Sequence, residues 1–397
     1  MWVNKTRRSK HCIFGSIYPP LRSIFFIANR YMTDQQIPRK REKTWLTKDK
    51  RPIVIAGPCS AETREQVIDT CVRLHKTKKA DIIRAGIWKP RTRPNSFEGI
   101  GEEGLPWMQE VKKLTGMPVT VEVAKAAHVE LALKHDIDIL WLGARTTVNP
   151  FAVQEIADSL RGVDIPVLVK NPINPDLALW LGSIERLEKV GLKEIGAIHR
   201  GFSNLGEKYY RNRPQWQIAL EFKRLREDIP LICDPSHICG RRDILQDVSQ
   251  KAMDLDFDGL MIESHIDPDN AWSDAAQQIT PEEFGRMITE MVLREDYEDD
   301  LPIQNNLEYL SQEIDHVDDE ILNLISNRMK LVRDVANYKK ENNVTILQQR
   351  RWNFVLEKAM NQGMQNELSK EFINKLIRVI HEESIDQQDK IMKIKNS

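Results

Sequence analysis

The chain has 397 residues, which is more than one average domain and suits two. Hydrophobic residues make up 41% and charged residues 29%, and the formal net charge is -1, so a basic surface for nucleic acid is not indicated. No apolar run reaches the length of about 18 residues that a membrane span requires. We therefore expect neither a nucleic-acid partner nor a membrane partner.

Residues 1–40 are predicted to be an N-terminal extension. They carry basic residues and the short apolar patch SIFFIA, but no long apolar core or clear cleavage site of a signal peptide. We expect translation to begin near Met32, with residues 1–31 disordered or a start-site artefact, and a targeting role is the alternative. The five cysteines of the chain include no CxxC pair, which argues against a disulfide framework and favours the cytoplasm.

Short β-branched apolar segments alternate with helical stretches from residue 52 to residue 295. The predicted strands cover residues 53–57, 81–86, 119–124, 138–144, 167–171, 194–200, 231–235 and 259–264. Eight strands with intervening helices predict an α/β fold of the (β/α)8 TIM barrel type. An open doubly wound sheet is the alternative, but the sequence has no GxGxxG or Walker motif to support it.

Cationic side chains follow several of the predicted strands. The carboxyl ends of barrel strands meet at one mouth, so these side chains are expected to share a pocket. One cation after a strand is usually a surface residue, but several in one pocket repel each other unless an anion binds there. The candidate anion-binding residues are Arg84, Lys89, Arg145, Lys170 and Arg200.

A mixed set of metal donors follows the first, seventh and eighth predicted strands. Taken singly, each is explained as a buried thiol or a satisfied loop residue, but their convergence at one barrel mouth favours a metal site. Cys, His, Glu and Asp together suit a divalent transition ion, and they do not choose between Mn²⁺, Fe²⁺, Co²⁺ and Zn²⁺. The candidate ligands are Cys59, His237, Glu263 and Asp274.

The motifs of this region resemble a known enzyme family. GPCS, RAGIWKPRTRP, GARTT, KNP, HRG, DPSHICGRRD and ESH…SDAAQQ are similar to the type I beta 3-deoxy-D-arabino-heptulosonate 7-phosphate (DAHP) synthases over about residues 40–295. The resemblance implies that phosphoenolpyruvate condenses with erythrose 4-phosphate at a divalent metal ion, for which we place Mn²⁺ first. Related octulosonate synthases carry KANR where this chain reads KPRT, and this difference favours erythrose 4-phosphate.

The resemblance also implies a role for each site residue. The metal ligands are Cys59, His237, Glu263 and Asp274. The phosphoenolpyruvate-binding residues are Arg84, Lys89, Arg145, Lys170 and Arg200, with Lys89 also catalytic. The residues near the sugar phosphate are Lys89, Arg91, Thr92 and Asp274.

The character of the sequence changes after the barrel region. An acidic stretch that ends at Pro302 predicts a linker over 296–304, between a barrel domain at 41–295 and a helical domain at 305–397. A 3/4 apolar spacing predicts one long helix, followed by helices near 349–361 and 369–392. The long helix needs a partner to bury its apolar stripe. The stripe consists of Leu307, Leu310, Ile314, Val317, Ile321, Leu324, Leu331 and Val335.

Polar residues interrupt the apolar faces of two of these helices. Arg328 and Lys339 fall on the stripe of the first helix, and the third helix leads to Ser384 and Gln388 in the same way. Cations on a buried face are costly unless they pair with an acid or reach solvent, which is the simplest explanation for one such residue. Two helices that turn such groups toward a common interior predict a site for a small dianion.

This region is similar to the all-helical chorismate mutase family over about residues 305–392. The segments LSQEIDHVDDEILNLISNRMKLVRDVANYKK, ILQQRRW and EESIDQQ carry the resemblance. It implies that chorismate is bound by Arg328, Lys339, Gln348, Arg351, Ser384 and Gln388, of which Arg328, Lys339 and Gln388 are catalytic. Two positions depart from the family pattern, because Gln348 stands where Asp is common and Ser311 where many members lend an Arg across a dimer. Members of this family usually bury their helical stripes in a dimer, so the resemblance implies a homodimer or a higher homo-oligomer.

The two resemblances together predict a bifunctional enzyme of the shikimate pathway and aromatic amino-acid biosynthesis. In the alternative, the barrel is an active DAHP synthase and the helical domain is mainly a regulatory module that binds chorismate or prephenate. Ser311 favours this alternative, because it removes a cation from the substrate site. A nucleic-acid-binding tail is a weak third reading, since the tail mixes its charges.

Overall fold

The structure is a computed structural model that describes residues 45–46, 52–90, 97–203, 206, 209–294 and 301–393, with the backbone alone for 301–305. The chain divides into two compact units, Met1–Arg294 and Glu295–Ser397. The whole predicted N-terminal extension, residues 1–40, and the residues Arg91 and Thr92 lie outside the described residues. No helix in the described ranges combines the length and the apolar character needed to cross a membrane.

The first unit is a closed barrel of eight parallel strands, which confirms the predicted (β/α)8 fold. Each strand pairs with its neighbours in sequence, and the first strand closes the ring on the eighth, with Ile55 opposite Met261. Every strand lies within its predicted segment. The strands are β1 (Ile53–Gly57), β2 (Ile82–Ala85), β3 (Val119–Val123), β4 (Ile139–Leu142), β5 (Val167–Lys170), β6 (Ile195–His199), β7 (Leu231–Cys233) and β8 (Gly259–Glu263).

Helices connect the strands and cover the barrel. Several begin at a side chain that accepts a backbone N–H, such as Thr280, which forms a capping box with Glu283. The helices of this unit are α1 (Arg64–Thr77), α2 (Gly104–Thr115), α3 (Ala126–Lys134), α4 (Ala144–Thr147), α5 (Pro150–Ser159), α6 (Leu177–Lys189), α7 (Trp216–Leu225), α8 (Pro235–Cys239), α9 (Leu245–Asp254) and α10 (Pro281–Glu290).

The barrel interior is filled by side chains that alternate along the strands. The inner cluster consists of Ile53, Ile55, Ile82, Ile139, Trp141, Leu168, Ile198, Ile232 and Met261, with Trp45 and Leu46 packed against it. Two residues further along β2, β5 and β8, the same alternation brings Arg84, Lys170 and Glu263 inward, and all three are buried. The two-residue period of the strands therefore places a layer of charged side chains next to the apolar inner cluster, toward the carboxyl ends of the strands.

Within the part of the chain that the structure describes, the second unit consists of three helices, as predicted. They are α11 (Leu301–Glu341), α12 (Gln349–Gln365) and α13 (Lys370–Lys393). The helix α11 begins at Leu301, within the predicted linker 296–304, and residues 296–300 lie outside the described residues. Pro302 lies in the first helical turn, where its missing N–H removes no intrahelical hydrogen bond. The apolar stripe of α11 is exposed, and Leu324 retains 68% of its accessible surface.

We expect Gly363→Ala to destabilise the helical unit, because a Cβ there would lie 2.6 Å from Ile373 Cδ1 and 2.7 Å from its Cγ1. Overpacking of this kind costs about 1–3 kcal/mol in unfolding free energy, which denaturant unfolding would measure. Gly182→Ala in α6 is the control, because its Cβ would meet nothing within 4 Å. This change should raise the free energy of unfolding by about 0.5–1 kcal/mol. A Gly363→Ala variant as stable as the parent would contradict this packing.

Candidate active sites

Buried cations line the mouth of the barrel and lie beside buried acids. Arg84 Nη1 is 3.3 Å from Glu263 Oε1, and Lys170 Nζ donates to Asp234 Oδ2 at 2.7 Å. Ion pairs this deep are stable only because each charge has its partner. Arg84 also has unused capacity, because its Nε and Nη1 atoms are buried without a hydrogen-bond partner among the described residues.

Arg200 forms a second part of this cationic surface. It is buried, and its Nη1 donates to Asn212 Oδ1 at 2.8 Å. Burial lowers the pKa of Arg200 to about 10; Asp234 acts in the opposite direction, and Arg211 and Arg145 act in the same direction as burial. Arg145 is exposed at the start of α4. Because Arg145 contributes to the lowered pKa of Arg200, the two predicted cations interact electrostatically.

Lys89 contacts the first of the candidate metal ligands. Its Nζ donates to Cys59 O at 2.9 Å and to Cys59 Sγ at 2.8 Å. Burial raises the pKa of the Cys59 thiol to about 12, Glu263 adds to the rise, and Lys89 opposes it. With this pKa the thiol is protonated at neutral pH unless a further positive charge favours the thiolate.

The four predicted metal ligands lie beyond or at the ends of β1, β7 and β8 and approach one another in two pairs. Cys59 Sγ lies 3.2 Å from Asp274 Oδ2, and His237 Nδ1 lies 3.8 Å from Glu263 Oε1. Each of the four also shifts the pKa of at least one other, so they interact electrostatically. Within the described ranges, however, no three His, Cys, Asp or Glu side chains are grouped closely enough to hold a metal ion as they stand.

The chemistry of these donors nevertheless fits a divalent metal ion. Burial lowers the pKa of His237, although Asp234 opposes this, so the imidazole is neutral and has a lone pair to offer. Glu263 Oε1 is buried and accepts no hydrogen bond from the described residues. The site thus offers a thiol beside an ammonium group, a neutral imidazole and a carboxylate oxygen without a hydrogen bond. These donor types suit a divalent metal ion of intermediate softness.

Two residues of this site were missed by the sequence reasoning. Asp234 pairs with Lys170 and lies 2.8 Å from His237 Nδ1, and its position directly after β7 was a usable signal. Arg211 Nη1 lies 2.9 Å from Asp274 Oδ1 and donates to Gln277 Oε1 at 2.6 Å. Arg211 lies in the long loop after β6, far from the strand end, so the strand-end pattern could not find it.

The loops after β1 and β8 are joined by a buried carboxylate. Glu62 Oε1 accepts from Trp272 N at 2.7 Å, and Glu62 Oε2 lies 3.3 Å from His265 Nε2. His265 Nδ1 accepts from Asp267 N at 2.9 Å, which leaves Nε2 as the protonated nitrogen. These contacts hold the segment that carries Asp274 against the segment that carries Cys59.

In the helical unit, α11 and α13 bring four of the predicted residues together. Arg328 Nη1 donates to Ser384 Oγ at 2.6 Å, and Lys339 Nζ donates to Gln388 Oε1 at 3.0 Å. Burial lowers the pKa of both cations. No carboxylate of the described residues pairs with either, so pairing with an acid does not explain them.

The other two predicted residues of the helical unit are exposed at the start of α12. Gln348 precedes the helix and makes no side-chain cap, and the guanidinium of Arg351 lies 5.5 Å from the centroid of the Phe354 ring. Ser311 is also exposed. The structure thus does not show Gln348 or Arg351 in contact with the Arg328 and Lys339 groups.

An aromatic pair near Arg328 was not anticipated from the sequence. Trp352 and His381 stack with their ring centroids 3.8 Å apart and an interplanar angle of 12°. Burial and the nearby Arg328 lower the pKa of His381. His381 precedes Ser384 by about one helical turn, so the pair borders the same group of residues.

Comparison with known sequences decides the family. The sequence model of the DAHP synthetase I family matches residues 33–296. The chain belongs to this family. The phospho-2-dehydro-3-deoxyheptonate aldolase of Thermotoga maritima is 33% identical over 238 residues, which are 60% of this chain and 68% of that protein. A crystal structure of the same Thermotoga enzyme is similar with a TM-score of 0.54 at 30% identity, over 60% of this chain and 67% of that one.

The helical unit matches a second family within this DAHP synthase chain. The sequence model of chorismate mutase type II matches residues 310–389. A bifunctional chorismate mutase/prephenate dehydratase of Buchnera aphidicola is 36% identical over 92 residues, which are 23% of this chain and 24% of that protein. The chain therefore joins a DAHP synthase domain to a chorismate mutase domain, and both matches support enzyme activity.

Proposed function

We propose that the barrel condenses phosphoenolpyruvate with D-erythrose 4-phosphate to give DAHP and phosphate. The observation that carries this proposal is the group of buried cations beside the metal donors at the barrel mouth. Phosphoenolpyruvate has a phosphate and a carboxylate, and it suits a pocket in which Arg84 retains unused donors. Lys170, Arg200 and Arg145 would complete its binding site, with Arg groups giving bidentate contacts.

The proposed metal ion would be held by Cys59, His237, Glu263 and Asp274. Mn²⁺ is placed first, and Fe²⁺, Co²⁺ or Zn²⁺ would suit the same donors. When bound, such an ion supplies Lewis acidity that polarises the aldehyde of the sugar phosphate and favours the Cys59 thiolate.

The residues of the chain would orient the substrates and manage one proton. Carbon 3 of phosphoenolpyruvate would form a bond to the aldehyde carbon, and water would add at carbon 2. The bond from carbon 2 to the phosphate oxygen would then break as the new carbonyl forms. One proton of the added water balances the proton gained by the aldehyde oxygen, and the other leaves with phosphate. The aldehyde oxygen becomes a hydroxyl group and therefore needs a proton, which Lys89 could donate from beside Cys59. Arg91 and Thr92 remain proposed contacts to the sugar phosphate on the resemblance alone.

We expect Cys59→Ala to lower condensation turnover by at least about 100-fold, or about 2.7 kcal/mol of transition-state stabilisation. The change removes the only thiolate ligand proposed for the metal. Turnover of chorismate should stay within twofold of the parent, because the helical site uses none of these donors. Loss of phosphoenolpyruvate with erythrose 4-phosphate would be followed before and after chelation, with metals added back singly.

Cys71→Ala is the matched control for this change. Cys71 is also a buried free thiol, but it lies on α1 away from the mouth. The condensation turnover of the Cys71→Ala variant should equal that of the parent. Equal loss of both activities in Cys59→Ala would argue against two independent sites.

We propose that the helical unit rearranges chorismate to prephenate. The pericyclic reaction requires no acid, base or nucleophile, only a held conformer and stabilisation of charge at the ether oxygen. Arg328 and Lys339, which have no acidic partner among the described residues, would bind the carboxylates and the ether oxygen. Ser384 and Gln388 would supply hydrogen bonds. Gln348 and Arg351 are retained as proposed contacts on the resemblance alone.

We expect Arg328→Ala to lower chorismate turnover by about 100-fold or more. The change removes a positive charge that stabilises the bound dianion, and water would not replace that charge. Condensation by the barrel should be unchanged. Arg333→Ala on the same helix is the control, because Arg333 donates to Gln387 Oε1 at 3.5 Å and is not one of the proposed contacts to chorismate. A parent that turns over no chorismate but still binds prephenate would instead support the regulatory module that Ser311 favours.

We propose that the chain is a homodimer or a higher homo-oligomer through the apolar stripe of α11. Ile314, Leu324 and Leu331 each expose more than half of their surface, at 61%, 68% and 65%. A contiguous apolar stripe of this size marks an interface.

The proposed domain bounds remain 41–295 for the barrel and 305–397 for the helical domain, although α11 itself begins at Leu301.

We expect Leu324→Glu to shift the protein from an oligomer toward the monomer, because the interface would bury an unpaired carboxylate. Sedimentation velocity would measure the change. Asn323→Glu adds the same charge at an adjacent exposed position outside the stripe and should leave the oligomer intact. A monomeric parent would contradict the proposed assembly.

We also propose a cytoplasmic enzyme. The cysteines of the described residues, Cys59, Cys71, Cys233 and Cys239, are all free and buried. Unpaired thiols of this kind are typical of a reducing compartment.

A further inference from the structure

A tryptophan lies beneath two of the buried cations at the barrel mouth. Trp141 is on β4, has no exposed surface, and belongs to the inner cluster of the barrel. The guanidinium carbon of Arg84 lies over its ring at 4.8 Å from the centroid, and Lys170 Nζ lies over the ring at 5.9 Å. Both distances fall within the range of about 6 Å in which a cation is attracted to an aromatic face. One indole therefore contacts two cations from strands on different sides of β4.

The surroundings of the indole favour these contacts. Arg84 and Lys170 expose only 1% and 4% of their surface, so water competes little for their charges. The Trp141 N–H donates to Glu122 Oε2 at 3.2 Å, and a carboxylate at this edge polarises the ring and makes its face more negative. Gly143 leaves room for this acceptor, because a Cβ there would lie 2.0 Å from Glu122 Oε1.

The indole complements the acids that hold the same two cations. Glu263 pairs with Arg84 and Asp234 pairs with Lys170, so each cation is fixed by a carboxylate and by the ring. Long cationic side chains have large rotamer freedom, which an unrestrained residue would lose when an anion binds. Fixing both before binding reduces that loss and raises the affinity for the anion.

We propose that Trp141 is a positioning residue that presents Arg84 and Lys170 together to the phosphate and carboxylate of phosphoenolpyruvate. The inference rests on the proposed function of the barrel and deepens it. Trp141 acts through the two cations, so its effect falls on the binding of the three-carbon anion. The binding of erythrose 4-phosphate and the metal content do not depend on it.

The test compares Trp141→Leu and Trp141→Phe with the parent in the full-length protein. Calorimetric titration gives the dissociation constant for phosphoenolpyruvate, and steady-state assays give KM for each substrate and kcat. We expect Trp141→Leu to raise the dissociation constant about tenfold, which corresponds to about 1.4 kcal/mol. Trp141→Phe keeps an aromatic face and should raise it only about threefold. The KM for erythrose 4-phosphate should stay within twofold in both variants.

Trp180→Leu is the matched control. Trp180 is also fully buried, and its N–H donates to Val169 O at 3.1 Å, on the strand that carries Lys170. Its ring stacks on Phe222 and carries no cation within the described residues. The control should lose stability without a change in the dissociation constant for phosphoenolpyruvate. An equal rise in Trp180→Leu would overturn the inference.

Further outcomes would also decide against Trp141 as a positioning residue. The inference fails if Trp141→Leu binds phosphoenolpyruvate with the dissociation constant of the parent. It also fails if a folded Trp141→Phe variant binds phosphoenolpyruvate no more tightly than Trp141→Leu. If Trp141→Leu does not fold, Trp141→Phe and Trp141→Met provide the comparison, because only Phe offers a π face. Equal dissociation constants for that pair would reject the inference.

Failure of the proposed function can be told apart from failure of this inference. If the parent does not consume phosphoenolpyruvate with erythrose 4-phosphate and added metal, the proposed function fails. Titration of inorganic phosphate into the parent and Trp141→Leu then still tests the role of Trp141, since phosphate needs the same cations. Phosphate binding that is equal in the two proteins would overturn the inference.

Discussion

Pairing of β1 with β8 is the constraint on which the barrel site depends. The register that places Gly57 opposite Glu263 brings the two loops beyond these strands side by side. Cys59 and Asp274 are far apart in sequence, and they approach to 3.2 Å only because the ring is closed. Glu62 then fixes the two loops to each other through His265 and the Trp272 backbone. The donor set is thus a consequence of closure and of buried hydrogen bonds, which an open sheet would not provide.

Closure also determines how charge is accommodated at the mouth. The interior has a low effective dielectric constant, so an unpaired cation there would be strongly destabilising. The structure meets this cost with two buried ion pairs, Arg84 with Glu263 and Lys170 with Asp234. Because these acids occupy only part of the donor capacity of Arg84, the site is balanced and still able to receive an anion. An aromatic face beneath both cations adds attraction without adding a charge.

The sequence could predict the barrel and those parts of the site that depend on strand period. Arg84 and Lys170 can be predicted from the sequence, because each lies at the end of a strand, two residues after an apolar residue that points into the barrel. Arg211 was not, because it reaches Asp274 from a long loop whose course no local pattern describes. Trp141 was placed on its strand correctly, but its contacts with two cations depend on the register of β2 and β5 around β4. In the tail, the spacing rule found Arg328 and Lys339, whereas it could not place Gln348 and Arg351 beyond a loop.

The helical unit differs from the barrel in how its polar face is completed. In the barrel, Glu263 at the end of β8 and Asp234 just after β7 neutralise Arg84 on β2 and Lys170 on β5 within one chain. In the helical unit, Arg328 and Lys339 are only half-buried, and the apolar stripe beside them faces outward. A helix of 41 residues spans about 60 Å, and its apolar stripe stays exposed beside the two shorter helices of the same unit. Burial of that stripe by a second copy would also remove water around the two cations, and a dianion would then be bound more strongly than solvent-exposed charges allow.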